Sequence, residues 1–274
     1  MCFRFLQFCE KQVKFISFGL PLKSMQQNLN RTINELVSEN HIRASILYYF
    51  GIKFYDYETT TLEEVCQKHG LNVESVTAAL ELVDDGSEQT LKQLKSLPID
   101  LLVEYLKHNH FLFVKKRLPY IGQLIDGLTE VNFRYKALAA DLKSIFPLFV
   151  EDFVHHIYEE EDTLFTYIGR LMNFVRSERP VSSVLYVMNK FSVSDFALDH
   201  ELHENEMEGF REFTNGYKYC DEADLHIKVL YTELERFEKD LFKHARIENE
   251  ILFPKALQLE RKVKLRFHEL SKLN

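Results

Sequence analysis

Two stretches decide the reading of this chain: HHIYEEEDTLF, His155 to Phe165, and HARIENEILFP, His244 to Pro254. Each holds a histidine followed four residues later by a glutamate, His156 with Glu160 and His244 with Glu248. On an α-helix, residues i and i+4 lie on one face, so each pair offers an imidazole and a carboxylate to the same point. In both copies Leu-Phe follows at the same distance, with Phe165 and Phe253 each nine residues after the histidine. The pairs therefore read as one device used twice. Two such devices facing each other across a helical bundle would make a two-metal site.

The chain has 274 residues, enough for one large or two modest domains. Nine glycines and six prolines among long amphipathic segments favour an all-α protein. A net charge of -8 argues against nonspecific nucleic-acid binding, which needs a basic surface. Cys2, Cys9, Cys66 and Cys220 form no CxxC motif and read as reduced thiols of a cytoplasmic protein. No 18-residue apolar run occurs, so no membrane-spanning helix is expected. The first 24 residues form an atypical extension, interrupted by Arg4, Glu10, Lys11 and Lys14, which leaves Met25 as a candidate start.

Residues 25–85 read as a small helical domain. A helix opens at Thr32 and runs to about Phe50, with Gly51 as its stop. Thr61 and Glu64 fit a capping box for a second helix that ends at Gly70, and Asn72 caps a third, Val73 to Leu82. Short helices joined by turns also suit a DNA-binding unit, but residues 25–90 hold four Lys/Arg against eleven Asp/Glu, which disfavours it. From Pro98 onward four long helices, about 99–127, 136–176, 193–214 and 222–258, predict an antiparallel four-helix bundle over 98–260. Pro119 and Pro147 fall inside two of them.

The apolar stripes select the inward polar residues. Leu142, Ile145, Phe149 and Phe153 lead to His156 and Glu160, which leaves His155 about 100° away around the helix. Leu230, Phe237, His244 and Ile251 form one row of the last helix, with Leu234, Leu241 and Glu248 beside it. Leu102 and Leu106 lead to His110; Phe196, His200, His203, Met207 and Phe210 share a face, with Glu204 at its edge. With eleven histidines, roughly one H-x-x-x-E would arise by chance. Burying several imidazoles and two carboxylates without partners, however, would cost several kcal/mol per ion, a cost that a metal pair removes. Imidazole and carboxylate ligands suit iron, manganese or zinc, and bridging carboxylates from facing helices suit two irons.

These segments resemble the repair-of-iron-centres family, the ScdA- and YtfE-like di-iron proteins, whose C-terminal part is a hemerythrin-like HHE bundle. The resemblance covers about residues 28–258. HHIYEEEDTLF and KHARIENEILFPKAL (Lys243 to Leu257) resemble the family's two H-x-x-x-E segments. DHELHENEMEGFREFTNGY (Asp199 to Tyr217) resembles its third-helix segment, in a register that selects His200 over His203. YLKHNHFLFVKKRLPYI (Tyr105 to Ile121) resembles its first-helix segment, with His110 preferred and His108 in reserve. The implied ligands are His110, His156, Glu160, His200, His244 and Glu248, with Glu160 and Glu248 bridging two irons that also share an oxo bridge. FGIKFYDYETTTLEEVC (Phe50 to Cys66) resembles a segment that carries adjacent cysteines, but Tyr55 and Asp56 stand there, leaving Cys66 as a small buried residue. A second departure lies near Asn132, where some relatives have a further histidine.

The resemblance implies repair of iron-sulfur clusters damaged by nitrosative or oxidative stress. Iron donation and nitric oxide binding and reduction are two mechanisms that fit it. Six protein ligands leave open positions on two six-coordinate irons for nitric oxide or dioxygen. Clients would be damaged iron-sulfur proteins; the electron donor is unspecified, and a homodimer is compatible with this reading. The rival is an oxygen, nitric oxide or iron sensor without turnover, which would make the chain a binding protein rather than an enzyme.

Overall fold

A computed structural model describes residues 29–57, 59–81, 91, 94–128, 135–176, 186, 188–201 and 206–272. The N-terminal extension, Asn132, His203 and Glu204 lie outside them. The described structure is all-α; its only extended pairing is an isolated bridge between Thr32 and Thr61. The chain divides into two compact units, one of residues 1–85, 126–135 and 217–234, the other of 86–125, 136–216 and 235–274. The first unit thus takes in two later stretches beyond the expected 25–85.

In the first unit, α1 spans Ile33–Glu39 and α2 spans Ile42–Tyr49. A single helix was expected across both. Asn40 breaks it: its backbone is extended (φ -148, ψ 106), and its side-chain oxygen accepts from the Ile42 amide at 3.0 Å. An asparagine that offers the chain a local bond in this way competes with helix continuation. Thr32 opens α1 with a capping box to Glu35, and Thr61 opens α3, Leu62–His69, with a capping box to Glu64. The Thr32–Thr61 bridge ties these two starts together through Ile33 N–H to Thr60 and Leu62 N–H to Arg31, both 3.0 Å. Gly70 ends α3 in the left-handed region, φ 63, where a side chain would be strained. Asn72 then accepts from the Ser75 amide at the start of α4, Val73–Glu81. Ile33, Leu36, Leu47, Ile52, Leu62, Val65, Cys66, Val76 and Leu80 fill the core.

The second unit is an antiparallel helical bundle. Helix α5 runs Ile99–Leu112, widens into a π-turn at Phe113–Arg117 and continues as Leu118–Asp126. Helix α6 runs Lys136–Glu159, has a π-turn at Glu160–Phe165, and continues as Thr166–Arg176. The third member is discontinuous among the described residues, as α7, Val193–Glu201, and α8, Glu208–Phe213. Helix α9, whose residues 225–234 are counted with the first unit, runs Leu225–Ile247, has a π-turn at Glu248–Leu252, and continues as Phe253–Lys272. Pro119 and Pro254 stand two residues beyond π-turns. Neither can donate to the carbonyl four residues back, at Lys115 and Glu250, and both carbonyls lie inside the widened turns. The ladder is therefore already reset where these prolines would break it.

Two apolar layers enclose the middle of the bundle. One holds Leu102, Leu106, Leu164, Phe165, Leu171, Phe174, Ile251, Leu252 and Phe253. The other is aromatic: Phe113, Phe149, Phe153, Phe210 and Phe237 meet with ring centroids 5.2 to 6.2 Å apart. Each buried aromatic contributes about 1.5–3 kcal/mol. Together the layers bury most of the polar residues between them.

Candidate metal centre

All six residues singled out from the sequence converge between those layers. Helix α5 contributes His110, α6 contributes His156 and Glu160, α7 contributes His200, and α9 contributes His244 and Glu248. Both glutamates begin π-turns, and His110 lies just before one. Widened turns of this kind recur at functional sites. His108 and His155, the neighbouring candidates, are exposed. His203 lies outside the described residues.

The donor atoms form two overlapping groups: His110, Glu160, His244 and Glu248 in one, and His156, Glu160 and His200 in the other. His110 Nε2 lies 3.1 Å from His244 Nε2 and 3.2 Å from Glu160 Oε2. His244 Nε2 lies 3.2 Å from Glu248 Oε1. On the other side, His200 Nε2 lies 3.0 Å from Glu160 Oε1 and 3.1 Å from Glu248 Oε2, and His156 Nε2 lies 3.2 Å from Glu160 Oε1. Each carboxylate thus has one oxygen beside the first group and one beside the second.

These donors fit metal ions. Glu160 Oε2 and both Glu248 oxygens are buried without a hydrogen bond among the described residues, despite the nearby imidazoles. Lone-pair atoms gathered so closely make a setting that a metal cation neutralises. Metal–ligand bonds of about 2.1 Å at right angles put ligand atoms about 3.0 Å apart, the separation seen here. The imidazole and carboxylate set, without thiolate, fits iron.

Without metal, protons supply the missing positive charge. Burial opposes charge on His200, but the Glu160 and Glu248 carboxylates beside its Nε2 outweigh this and push it up to about 10. His110 and His156 are raised for the same reason, with Glu160 as the main partner of each. Burial works against ionised Glu160 too, yet hydrogen bonds from His110, His156 and His200 hold it well below the usual carboxylate range. Glu248 is also lowered, by His244 and His200, against burial and the repulsion of Glu160.

Around the donors, Phe165 stacks on the His110 ring (5.4 Å, 9° between planes) and Phe253 meets His200 edge-on (5.4 Å, 76°). Glu161, which the sequence reading did not single out, receives His110 Nδ1 at 2.8 Å. It stands in a run of four acidic residues, Glu159 to Asp162, where composition alone does not separate one carboxylate from the next. A cavity of about 50 Å³ reaches the cluster, lined by apolar Phe153, Met207 and Leu241 and by Glu206 and Glu238. Arg211 binds Glu238 at 2.8 Å. Sequence reading also passed over these two carboxylates.

Residues 101–256 match the model of the hemerythrin HHE cation binding domain. The chain belongs to the hemerythrin HHE family. This HHE protein is also 25% identical over 207 residues to the iron-sulfur cluster repair protein YtfE of Yersinia pseudotuberculosis serotype IB (strain PB1/+) and to that of Yersinia pestis (strain Pestoides F). In each case the match covers 73% of this chain and 84% of the relative. The resemblance to the repair-of-iron-centres family is thereby borne out. Among the described residues, no helix of this HHE protein is long and apolar enough to cross a membrane.

Proposed function

We propose that this chain is a di-iron protein that takes part in repairing iron-sulfur clusters damaged by nitrosative or oxidative stress. His110 and His244 would hold one iron, His156 and His200 the other, with Glu160 and Glu248 shared between them. The observation that carries this reading is the way both carboxylates reach both sets of histidines. That the Yersinia relatives are iron-sulfur cluster repair proteins supports the repair role. Bound iron would supply redox capacity and open coordination positions.

The chain's own residues set the conditions for that chemistry. The two apolar layers bury most of the donors, which strengthens the hold of the carboxylates on a cation. Each imidazole must present an unprotonated nitrogen to act as a ligand. The cavity beside His156 and His200 has room for a diatomic such as nitric oxide or dioxygen, against the apolar Phe153, Met207 and Leu241. Iron donation to damaged iron-sulfur proteins in the cytoplasm, and nitric oxide reduction fed by a separate electron donor, are the two routes this arrangement serves.

The test is iron per chain on anaerobically purified protein, an absorption spectrum before and after nitric oxide, and reactivation of a nitric-oxide-damaged iron-sulfur enzyme. About two irons, a spectral response and reactivation by loaded protein are expected. A protein that takes up no iron after reconstitution with ferrous ion would end the reading. Reversible ligand binding without reactivation would instead favour a sensor.

A further inference from the structure

The two donor groups are unequal in ways that bear on which ion leaves. In the group of His110, Glu160, His244 and Glu248 every residue is buried. His110 is the most constrained of the four histidines. Its side chain is 2% exposed, one ring face lies on Phe165, and Nδ1 is held by Glu161 at 2.8 Å. That bond puts the ring proton on Nδ1 and leaves the Nε2 lone pair facing His244 and Glu160. A carboxylate behind a ligating imidazole fixes its tautomer and makes it a stronger donor.

The other group is buried at Glu160 and His200 and partly exposed at His156. His156 is the most exposed of the four histidines, at 22% of its side chain. His200 Nδ1 and His244 Nδ1 are alike in being buried without a hydrogen-bond partner among the described residues, so the bond from His110 to Glu161 is what distinguishes the first group. The cavity runs along this side. Its lining includes His156 and His200, and it also touches His244, Glu160 and Glu248; His110 alone among the histidines is absent from it. Water, protons or a competing ligand arriving through the cavity therefore reach the His156–His200 position most directly.

We propose that the ion held by His156 and His200 is exchangeable through the cavity, that the ion held by His110 and His244 is retained, and that Glu161 is the positioning residue that makes it so. This rests on the di-iron reading and deepens it: one ion is available for delivery while the other keeps the bundle's centre neutralised. Exchange involves no change of oxidation state. Ferrous ion leaves to an acceptor chelator, and the vacated imidazoles take up protons from water.

The experiment loads the full chain with ferrous iron without oxygen, counts the irons, then mixes it with excess ferrozine and follows the coloured complex. Two phases of equal amplitude are expected, one fast and one slow. Glu161→Gln should speed the slow phase by roughly 10-fold or more and leave the fast phase in place. Glu161→Asp, which keeps the carboxylate, should restore part of the retention. His156→Ala should remove the fast phase and keep the slow one. A wild-type protein that loads two irons and loses both in one phase would overturn the proposal, as would an unchanged slow phase in Glu161→Gln. If Glu161→Gln does not fold, the wild-type phases and His156→Ala still decide. A wild type that never holds two irons would instead strike the di-iron reading itself.

Discussion

Phe165 lies flat on the imidazole of His110, 5.4 Å between centroids and 9° between planes, although the two residues come from different helices of the bundle. Its counterpart, Phe253, also meets a histidine from another helix, His200, but edge-on. The repeated His-x-x-x-Glu and Leu-Phe device therefore works across helices. The histidine and glutamate of each copy face the polar cluster, while the phenylalanine nine residues on packs against a histidine that neither copy contains.

That packing can be weighed. Phe165→Ala should destabilise the metal-free protein by about 3–5 kcal/mol, since it empties a well-buried aromatic site. Phe213→Ala, at a largely exposed position, should stay within about 0.5 kcal/mol. Denaturant unfolding of both variants checks the difference; equal midpoints would mean Phe165 is not a packing residue.

The shared carboxylates should matter most for metal. Glu160→Ala or Glu248→Ala removes a donor from both groups at once. Metal affinity should fall by more than the roughly 10–100-fold that loss of an outer hydrogen-bond partner costs. His155→Ala, on the exposed face, should leave iron content alone. Iron analysis after dialysis reads this directly, and full retention in both glutamate variants would sink the ligand assignment.

Metal uptake should release protons. His200 keeps its proton up to about 10 in the metal-free protein, and only the lone pair can bind metal. Apparent affinity should therefore rise with pH through the neutral range. The metal-free fold runs the other way: the folded value of His200 lies above its ordinary 6.5, so its stabilisation is complete below 6.5 and lost as pH rises through about 10. Calorimetry in buffers of different ionisation enthalpy measures the proton release, and a buffer-independent heat would contradict it.

Cys66 should be inert in the folded chain. It is 1% exposed, and burial pushes its thiol up from 9.0 to about 11. Thiolate, the reactive form, is scarce below that value. Iodoacetamide at pH 8 should label Cys66 only after unfolding. The same shift means that the stability tied to the neutral thiol is intact below 9.0 and lost as pH rises through about 11.

At the amino-terminal unit, Thr61→Ala should cost about 1 kcal/mol, because Thr61 accepts from the Glu64 amide and its loss leaves a helix-start donor unpaired. Thr61→Ser should recover most of it. Thermal unfolding of the pair is the check.

The local rules carried far here. Capping residues at Thr61 and Asn72 and the left-handed glycine at Gly70 are legible because each acts within a few residues of itself. So is the inward row of the last helix, where Leu230, Phe237, His244 and Ile251 are buried. The six candidate ligands follow from helical periodicity together with the family resemblance. The break at Asn40 was not legible, because one side-chain bond to Ile42 decides it against an otherwise helical pattern.

What only the tertiary structure decided is which neighbours of those six act on them. A π-turn starting at Glu160 lets Glu160 and Glu161 both reach the centre, although residues in regular helix differ by 100° around the axis. A one-residue change of turn carries no signature in composition. It follows from how four helices pack, as does the pairing of Glu161 with His110, fifty-one residues away. The sequence by itself determined that imidazoles and carboxylates would line the bundle's interior, because helix periodicity is local. It left undetermined which of them would be held rigidly and which left beside a cavity, because that depends on contacts between helices distant in the chain.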